Sequence, residues 1–534
     1  MNKPLSRVFG LETEYALAAR YFDITDSPRA VNPDLFFNFF PRSHLHNRYS
    51  QNVFTENGAR IYLDTGFHPE YATPECQGVT TLVLYDKVGE RMMERAEILL
   101  NRCWQDRSFL AWLLSAPEVI SSPHSGPNQF EWKNYPIKIY RNNVSMNTIP
   151  DTGEPISWGC HENYLASPII LERLMWLVPH LITRQIYGGA GWLMRGTDSV
   201  ARFLLAQRPL VISALLGGSS TTHPRPIIHT RDEPHAAPGT WKRLHLILGD
   251  ANISPWATWL KMGATGLIIG VLEDPDFASG VDFGVSPGEV SVLKAICNDP
   301  TCTNTFGFSG RKHTAISVQR FYLDLVRRYY REERSPLSEE SARVLQLWQA
   351  VLDCIERGDV EALAPYLDNF AKLHLFESGM LGSGALPARV SKGFSFQDKV
   401  MPDKLFYYLK AIDLSYHRVL REKSVYAAFQ RTDACRQLSR RLEGVLPWIA
   451  GPLFGDADIE RAWFSPPPGR PRWRQRVMRL AEELQELESV TSILVDWSNV
   501  QVAKANLANE TFKNLDPYSE MTDEVLEAVK RLKN

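Results

Sequence analysis

The sequence lacks an excess of either charge. Its 534 residues include 59 Lys and Arg against 61 Asp and Glu, which gives a formal net charge of −2. Nucleic-acid-binding proteins usually carry a strong basic excess, so the composition gives no support for that class and predicts no nucleic-acid partner. A hydrophobic content of 44% and a charged content of 22% are typical of a globular protein rather than a disordered one.

Long apolar runs and regularly spaced cysteines are also missing. No apolar run approaches the ~20 residues that a membrane helix needs, and the opening MNKPLSRVFG contains no apolar signal-peptide region. The seven cysteines are odd in number, scattered and without metal-site spacing. We interpret Cys297 and Cys302 as free thiols in a reducing compartment. These absences predict a cytoplasmic protein with no membrane partner.

The glycine motifs that bind phosphate are absent as well. Neither GxGxxG nor GxxxxGK followed by Ser or Thr occurs, and we predict that GGAG at 188–191 is a turn. Any nucleotide phosphates are therefore not expected to lie on a helix N-terminus in the P-loop manner.

The pattern of the sequence changes along its length. Residues 5 to about 270 mix short β-rich runs, such as RVFGLETEYAL and RIYLDTG, with helical stretches such as LYDKVGERMMERAEILLNRCW. From about 310 the apolar spacing is mainly helical. A Pro-rich stretch, WFSPPPGRPRW (463–473), precedes a charged helix, a strand-like SILVDWSNV and a final helix, TDEVLEAVKRL. This order predicts an α+β protein with a large domain at 1–429 and a small C-terminal domain at 430–534.

The stretch GLETEY (10–15) places two carboxylates in a short apolar run. Glu12 and Glu14 are two residues apart, so in a strand they share one face and lie roughly 6–7 Å apart. Adjacent negative charges on a half-buried face need a positive neighbour. Either Lys or Arg residues on a solvated face or a divalent cation would supply it.

A second acidic stretch is NGARIYLDTGFHPEYATPEC (57–76), which opens with an Asn-Gly turn signal for a hairpin. Alternation places Arg60, Tyr62 and Asp64 on one strand face. With Glu70 and Glu75, the first 75 residues hold five carboxylates on strand or edge segments. That donor set suits Mg²⁺ bridging nucleotide phosphates, whereas zinc is disfavoured because no Cys or His spacing accompanies it.

Asp64 is the candidate reactive carboxylate of this group. It ends a strand and precedes Thr65 and Gly66. An ionised Asp beside a bound metal can deprotonate an ammonium group if it is well placed. The alternative is a turn-capping role before Gly66.

A basic cluster supplies the opposite charge within RPIIHTRDEPH (225–235), KRLHLILGDAN (242–252) and GCHENYL (159–165). Its members are Arg225, Arg231, Arg243, His235, His245 and His161, with Glu162 beside the last. Guanidinium groups match phosphate oxygens bidentately, so the cluster suggests a phosphate clamp. Each Arg taken alone is better explained as a structural ion pair, and only the combination with the acidic cluster favours a nucleotide–metal site.

Several long strings resemble the family of Pup ligases (proteasome accessory factor A) and Pup deamidase/depupylases. They include GLETEY, NGARIYLD, HPEYATPEC, GCHENYL, LVPHLITRQ, TRDEPHA and RLHLILGDAN, and the match continues in order to ILVDW at 493–497. The resemblance implies a fold related to glutamine synthetase, in which a curved antiparallel sheet cradles ATP and Mg²⁺. A small C-terminal domain would close part of that site.

The resemblance also implies roles for individual residues. Glu12, Tyr62 and Glu70 match metal-binding positions, Asp64 the catalytic carboxylate, and Arg60, Thr73 and Trp497 the ATP-contacting positions. Glu14, His161 and Arg231 are expected in the same cradle. Tyr62 is an unusual metal ligand, so a packing or water-mediated role is the alternative.

The ligase branch fits better than the deamidase branch. The deamidases carry a long extra loop between the GxExEY and NGARxY segments, and here that interval has only about forty residues. Cys160 is also ligase-like. The sequence departs from the family pattern at His229, Ala237 and Asn369, and 105–135 is predicted to be an insertion.

The expected activity is ATP-dependent attachment of a Pup-like modifier, through the side chain of its C-terminal Glu, to lysines of protein substrates. The alternatives are a deamidase or depupylase of the same modifier, a small-molecule carboxylate–amine ligase, and a nucleotide-binding scaffold without turnover.

Overall fold

The computed structural model describes residues 5–18, 52–64, 66, 68–105, 136–148, 155–196, 198–218, 224–231, 233–280, 289–308, 311–382, 397–485, 490–504 and 510–520. The predicted insertion at 105–135, apart from its first residue, and the predicted helix TDEVLEAVKRL lie outside these ranges. Within them, no helix combines the length and the apolar character that crossing a bilayer requires.

The strands are numbered here in chain order. They are β1 (Val8–Glu14), β2 (Ala16–Ala18), β3 (Asn52–Phe54), β4 (Arg60–Leu63), β5 (Pro69–Ala72), β6 (Cys76–Gln77), β7 (Lys138–Tyr140), β8 (Val144–Thr148), β9 (Pro155–Ser157), β10 (Cys160–Ala166), β11 (Trp192–Arg195), β12 (Val200–Leu204), β13 (Ala214–Gly217), β14 (Pro226–His229), β15 (Lys242–Leu246), β16 (Thr305–Phe308), β17 (Arg311–Thr314), β18 (Lys399–Val400), β19 (Val490–Val495), β20 (Asn499–Lys504) and β21 (Glu510–Lys513).

The α-helices are numbered in the same way. They are α1 (Val79–Gln105), α2 (Leu174–Thr183), α3 (Gln185–Gly188), α4 (Pro255–Leu272), α5 (Pro275–Ser279), α6 (Val290–Cys297), α7 (Ala315–Arg331), α8 (Glu339–Glu356), α9 (Asp368–Gly382), α10 (Asp403–Tyr416), α11 (Val425–Gln430), α12 (Asp433–Glu443), α13 (Asp456–Phe464) and α14 (Arg470–Gln485). Short 3-10 helices span Pro168–Arg173, Arg208–Leu210, Val360–Leu363, Arg421–Lys423 and Pro447–Ile449.

A nine-stranded sheet forms the centre of the molecule. Its order is β13-β14-β15-β10-β1-β5-β4-β3, and β6 also pairs with β1. All described neighbours are antiparallel except β13 and β14, which are parallel. The strands that contain GLETEY and GCHENYL therefore lie side by side at the middle of the sheet, although about 150 residues separate them in the chain.

Alternation along β1 gives the sheet one apolar face and one polar face. Phe9, Leu11 and Thr13 are buried, whereas Gly10 and Glu12 are partly exposed. Helices α1 and α4 pack on the apolar face, where a Cβ on Gly266 would lie 2.9 Å from Phe9 Cζ. The opposite face, which carries the two glutamates, is left for a site.

The predicted Asn-Gly hairpin joins β3 to β4. Gly58 has a φ of +81°, a value that favours glycine. The Thr55 amide donates to the carbonyl of Ala59 at 2.8 Å and closes the turn. This hairpin sets the side chains of β4 beside those of β5.

The C-terminal part packs in two ways. Helix α12 contacts Val360–Leu363 and α13 contacts α1, whereas α14 packs on the three-stranded sheet β19-β20-β21. We call α14 together with β19–β21 the C-terminal unit.

Helix α14 begins at Arg470, inside the Pro-rich stretch and earlier than predicted. Pro471 is tolerated in the first turn of a helix, because its missing N–H is not needed there. The domain boundary at 430 stays a prediction.

Other local predictions are confirmed. GGAG connects the end of α3 to β11, and Cys297 and Cys302 are buried free thiols.

Candidate active site

Two rows of side chains cross the polar face of the central sheet, which carries Glu12 and Glu14. We call them the histidine row (His161, Glu12, Ala72 and Arg60) and the acidic row (Glu14, Glu70 and Tyr62), and within each row the residues are direct partners on neighbouring strands. Directly opposed residues of antiparallel strands present their side chains on the same face. The prediction that Glu12 and Glu14 share a face of one strand is thus confirmed.

Glu12 is surrounded by positive and imidazole groups. Arg243 Nη2 donates to Glu12 Oε1 at 2.5 Å, His161 Nδ1 lies 3.4 Å from Oε2, and His245 Nε2 lies 3.8 Å from Oε2. Burial opposes ionisation of this carboxyl, but the Arg243 guanidinium and the two histidines hold the pKa of Glu12 well below its usual range. Glu12 is therefore a permanent anion at the centre of the sheet.

The acidic row has the opposite electrostatics. Burial, with the nearby charge of Asp64, raises the pKa of Glu14 to about 7. Burial, with the charges of Glu14 and Glu12, raises the pKa of Glu70 well above its ordinary value. Carboxylates gathered in this way repel one another until a proton or a cation neutralises them.

Tyr62 supports the acidic row. Its hydroxyl donates to Glu70 Oε1 at 2.5 Å. Burial and the Glu70 carboxylate raise the pKa of Tyr62 well above its ordinary value, so the phenol keeps its proton. This geometry suits holding Glu70 in place, or contact with a metal through water. The role of Tyr62 as a metal ligand stays a prediction.

Asp64 lies just beyond β4, next to the acidic row, and its charge acts on Glu14. The His68 amide donates to Asp64 Oδ1 at 2.5 Å, and the Asp64 amide donates to the His68 carbonyl at 3.1 Å. The His68 ring stacks on Trp158 at 5.0 Å. The turn-capping contact considered from the sequence is therefore present, and it also fixes the direction of the carboxylate.

Gly159 gives the two rows room to approach each other. Its carbonyl accepts from the Glu14 amide at 3.1 Å. A Cβ at this position would lie 2.4 Å from His161 Nε2 and 2.7 Å from Glu14 Oε1. Any side chain here would push the imidazole or the carboxylate aside.

The residues of this face fit a divalent cation. One ligand atom from each of Glu12, His161 and His245 lies within 4.8 Å of the others. His245 Nε2 is buried and has no hydrogen-bond partner within the described part of the chain. Sequence spacing hid this cluster, since the two histidines belong to strands more than eighty residues apart in the chain. The neighbouring acidic row adds oxygen donors of the kind that Mg²⁺ prefers.

A cleft of about 650 Å³ opens between this face and the C-terminal unit. Glu12, Gly10, Thr73, Arg243 and Trp497 are among the residues that line it. Glycine at position 10 leaves the floor flat, and the Thr73 hydroxyl accepts from the Leu11 amide at 3.1 Å.

Arg60 and Trp497 both lie against Phe54; Trp497 lines the cleft, and Arg60 is directly opposite Ala72, which also lines it. The Arg60 guanidinium lies 4.7 Å from the Tyr62 ring centroid and 5.9 Å from that of Phe54. Trp497 meets Phe54 edge-on at 5.1 Å.

Of the predicted nucleotide-contacting residues, Thr73 and Trp497 line the cleft. Of the predicted metal residues, Glu12 lines it, while Glu70 and Tyr62 lie in the neighbouring acidic row.

Three residues from the sequence clusters have their partners outside the two rows. Glu75 pairs with two arginines of α14 rather than with the other carboxylates. Glu162 points to the covered face, where its Oε1 lies 2.6 Å from Arg184 Nη2. Arg231 is exposed and pairs with Glu233 at 2.5 Å. Strand alternation turns Glu162 away from the face that carries Glu12. The expectation that Arg231 belongs to the cradle stays a prediction.

Asn163 was missed by the sequence analysis. It accepts from Arg243 Nε at 2.6 Å and donates to Glu12 Oε1 at 3.2 Å, so it holds both groups. The available signal was its position two residues after His161, which places it on the same strand face.

The fold is that of an α+β enzyme, and the candidate active site lies on one face of its largely antiparallel sheet. A family model described as Pup-ligase protein matches residues 7–501. The chain belongs to the Pup-ligase family, and the resemblance stated from its motifs is confirmed.

Individual relatives span nearly the whole chain. A Pup–protein ligase of Acidimicrobium ferrooxidans is 31% identical over 529 residues, with 98% of each chain covered. A Pup–protein ligase of Mycolicibacterium vanbaalenii is 29% identical, with 96% of this chain and 97% of the relative covered.

Two solved structures share the fold. One is the complex between the prokaryotic ubiquitin-like protein Pup and its ligase PafA, with a TM-score of 0.73, 26% identity, and coverage of 99% of this chain and 92% of that chain. The other is the Pup ligase PafA in complex with ADP, with a TM-score of 0.67, 26% identity, and coverage of 91% of this chain and 90% of that chain. The predicted α+β fold class is confirmed.

Proposed function

We propose that the protein is an ATP-dependent ligase that joins the side-chain carboxylate of a C-terminal Glu on a Pup-like modifier to lysines of protein substrates. The observation that carries the proposal is the meeting of Asp64, the acidic row and Glu12 at the edge of one cleft. Family membership over residues 7–501 supports the same reaction class. We place the enzyme in the cytoplasm, where its buried thiols stay reduced.

The cleft is the proposed ATP site. Thr73 and Trp497 line it and Arg60 stands at its side, and the similar PafA structure is a complex with ADP. Arg243 lies between the cleft and Glu12. A guanidinium there is well suited to the phosphates, because it offers several donors in a fixed plane.

Glu12, Glu70 and Tyr62 are the proposed Mg²⁺ residues, with His161 and His245 completing the donor set beside Glu12. Magnesium held by these residues would supply positive charge that stabilises the transferring phosphoryl group. The protein's own contribution is to keep Glu12 ionised through Arg243 and to hold Glu70 through Tyr62.

The reaction follows in two steps. A carboxylate oxygen of the modifier's terminal Glu attacks the γ-phosphorus of ATP, the bond to the β-phosphate oxygen breaks, and ADP and an acyl phosphate result. Asp64 then accepts a proton from the lysine ammonium and the free amine attacks the acyl carbon. The isopeptide bond forms as phosphate leaves with the second amine proton.

A conjugation assay tests the proposal. The purified chain, ATP and Mg²⁺ are mixed with a Pup-like modifier ending in Glu and a lysine-bearing protein, and conjugates are followed by gel shift and mass spectrometry. We expect conjugates only when ATP is present. Release of modifier from a preformed conjugate without any ligation would instead support a depupylase. Ligation of free glutamate to an amine would support a small-molecule ligase.

Gly159→Ala should strongly reduce conjugation activity without unfolding the protein. The added methyl displaces the His161 ring or the Glu14 carboxylate, and small misplacements of catalytic groups cost about 100-fold in rate. We expect kcat/KM for conjugation to fall by about that factor. Gly307→Ala is the matched control, because a Cβ there has no neighbour within 4 Å. Equal activity of the two variants would contradict the assigned site.

A further inference from the structure

The largely buried carboxylate of Glu75 links the central sheet to the C-terminal unit. Glu75 Oε2 accepts from Arg474 Nη2 at 2.7 Å, and its Oε1 accepts from Arg474 Nη1 at 3.0 Å and from Arg470 Nε at 2.7 Å. The two arginines are four residues apart on α14, so they project from the same face of the helix. We call Glu75, Arg470 and Arg474 the arginine latch.

The latch extends from Glu75 to the walls of the cleft. Arg474 donates to the Trp497 carbonyl at 2.7 Å and to the Gly58 carbonyl at 2.8 Å. Arg470 donates to the His235 carbonyl. Because His235 has a φ of +46°, its loop takes a backbone shape that a non-glycine residue adopts only when it is held. Each of these contacts fixes a different segment around the same opening.

Trp497 is held through its ring as well as its backbone. The Arg474 guanidinium lies 5.1 Å from the Trp497 ring centroid and 4.9 Å from that of Phe54. Phe54 in turn meets Trp497 edge-on. The indole is therefore fixed between the first hairpin of the sheet and α14.

The charge balance of the latch depends on Glu75. Both arginines are almost completely buried, with 3% of Arg470 and 0% of Arg474 exposed. Burial, with repulsion from Arg474, lowers the pKa of Arg470, and the Glu75 carboxylate counters both effects. Removing that carboxylate would leave two like charges buried side by side, a far less favourable state than the intact ion pair.

We propose that the arginine latch sets the affinity for the nucleotide. Glu75, Arg470 and Arg474 are positioning residues that hold Trp497 and the His235 loop in place around the cleft. The inference rests on the proposed function in one respect, that the cleft takes ATP. By reciprocity, a bound nucleotide also strengthens the attachment of α14 to the sheet.

Glu75→Gln tests the latch because it removes the charge and keeps the shape. ADP binding to the full-length chain is measured by calorimetry with Mg²⁺, and KM values for ATP and for the modifier are measured separately. We expect the dissociation constant for ADP and the KM for ATP to rise roughly tenfold or more, the scale of a lost base–aromatic stack. The KM for the modifier and kcat at saturating ATP should change by less than about twofold.

The control is Arg476→Gln on the same helix. Arg476 pairs with Glu520 at 3.2 Å and is 46% exposed, so its loss removes an ion pair that does not reach the cleft. We expect wild-type affinity for ADP. In the double variant Glu75→Gln with Arg474→Gln, the dissociation constant for ADP should be no higher than in the single variant with the higher constant. The two losses should not add, because both substitutions disrupt the same arginine latch. Additive losses would overturn the proposal.

Two further outcomes separate the inference from the proposed function. Wild-type affinity for ADP in folded Glu75→Gln overturns the latch alone, whereas a wild-type chain that binds no ADP overturns the proposed function and the latch with it. If Glu75→Gln does not fold, Arg474→Lys replaces it, because lysine keeps the charge but cannot bridge the carboxylate and both carbonyls. Unchanged ADP affinity in that variant would overturn the latch.

Discussion

Asp64→Asn is expected to abolish conjugation while ADP still binds. Asparagine keeps a carbonyl oxygen that can accept from the His68 amide, so the loop after β4 retains its shape. It cannot take a proton from the lysine ammonium, and loss of a general base costs about 100- to 10,000-fold in rate. Steady-state conjugation kinetics and ADP calorimetry on the same preparation measure the two effects.

The control for this prediction is Asp198→Asn. Like Asp64, Asp198 accepts a hydrogen bond from a nearby backbone amide, that of Val200 at 3.0 Å. Asp198, however, lies on an exposed turn. Its replacement should leave conjugation unchanged. If Asp64→Asn conjugates at the wild-type rate, another group removes the proton. If it loses ADP as well, Asp64 acts on nucleotide binding rather than on the amine.

Glu70→Gln is expected to remove activity and yet leave the metal-free protein at least as stable. Glu70 is 4% exposed and stands between Glu14 and Tyr62, where its charge is opposed by other carboxylates. A neutral amide of the same shape relieves that repulsion and should add on the order of 1 kcal/mol to the free energy of unfolding without metal. The same change removes a proposed Mg²⁺ ligand.

Thermal unfolding of both proteins, measured in a chelator and again with Mg²⁺ and ADP, tests whether Glu70 lowers stability without metal and raises it with metal. The wild type should gain more from Mg²⁺ and ADP than the variant does, since ligand binding stabilises only the state that binds. Glu356→Gln is the control, because Glu356 is an exposed carboxylate that pairs with Arg320 at 2.8 Å. Glu70→Gln that is destabilised without metal and still active would show that Glu70 is structural.

Local sequence pattern predicted the segments of the site but not how they meet. Two-residue spacing placed Glu12 with Glu14, and the Asn-Gly signal placed the β3–β4 hairpin, because strand alternation and turn geometry are local properties. The pairing of Glu12 with His161 depends on the register between β1 and β10, which the intervening residues do not reveal. His245 joined the cluster only through the further pairing of β15 with β10.

Grouping carboxylates by their closeness in the chain predicted the members of the site less well than strand alternation did. Five carboxylates in the first 75 residues were grouped from proximity in the chain, and four of them do meet near the sheet face. Glu75 does not, because its partners Arg470 and Arg474 lie about 400 residues further on. Arg231, by contrast, pairs with Glu233, which is only two residues further on.

The central claim is that the carboxylate-lined face of the sheet binds a nucleotide together with Mg²⁺, so that the side-chain carboxyl group of the modifier's terminal Glu can be activated. Calorimetric titration of ADP into the wild-type chain, with Mg²⁺ and then with chelator, tests it most directly. Binding in Mg²⁺ that weakens roughly tenfold or more on chelation is the expected result. A folded chain that takes up no ADP, or takes it up equally well without metal, would contradict the claim.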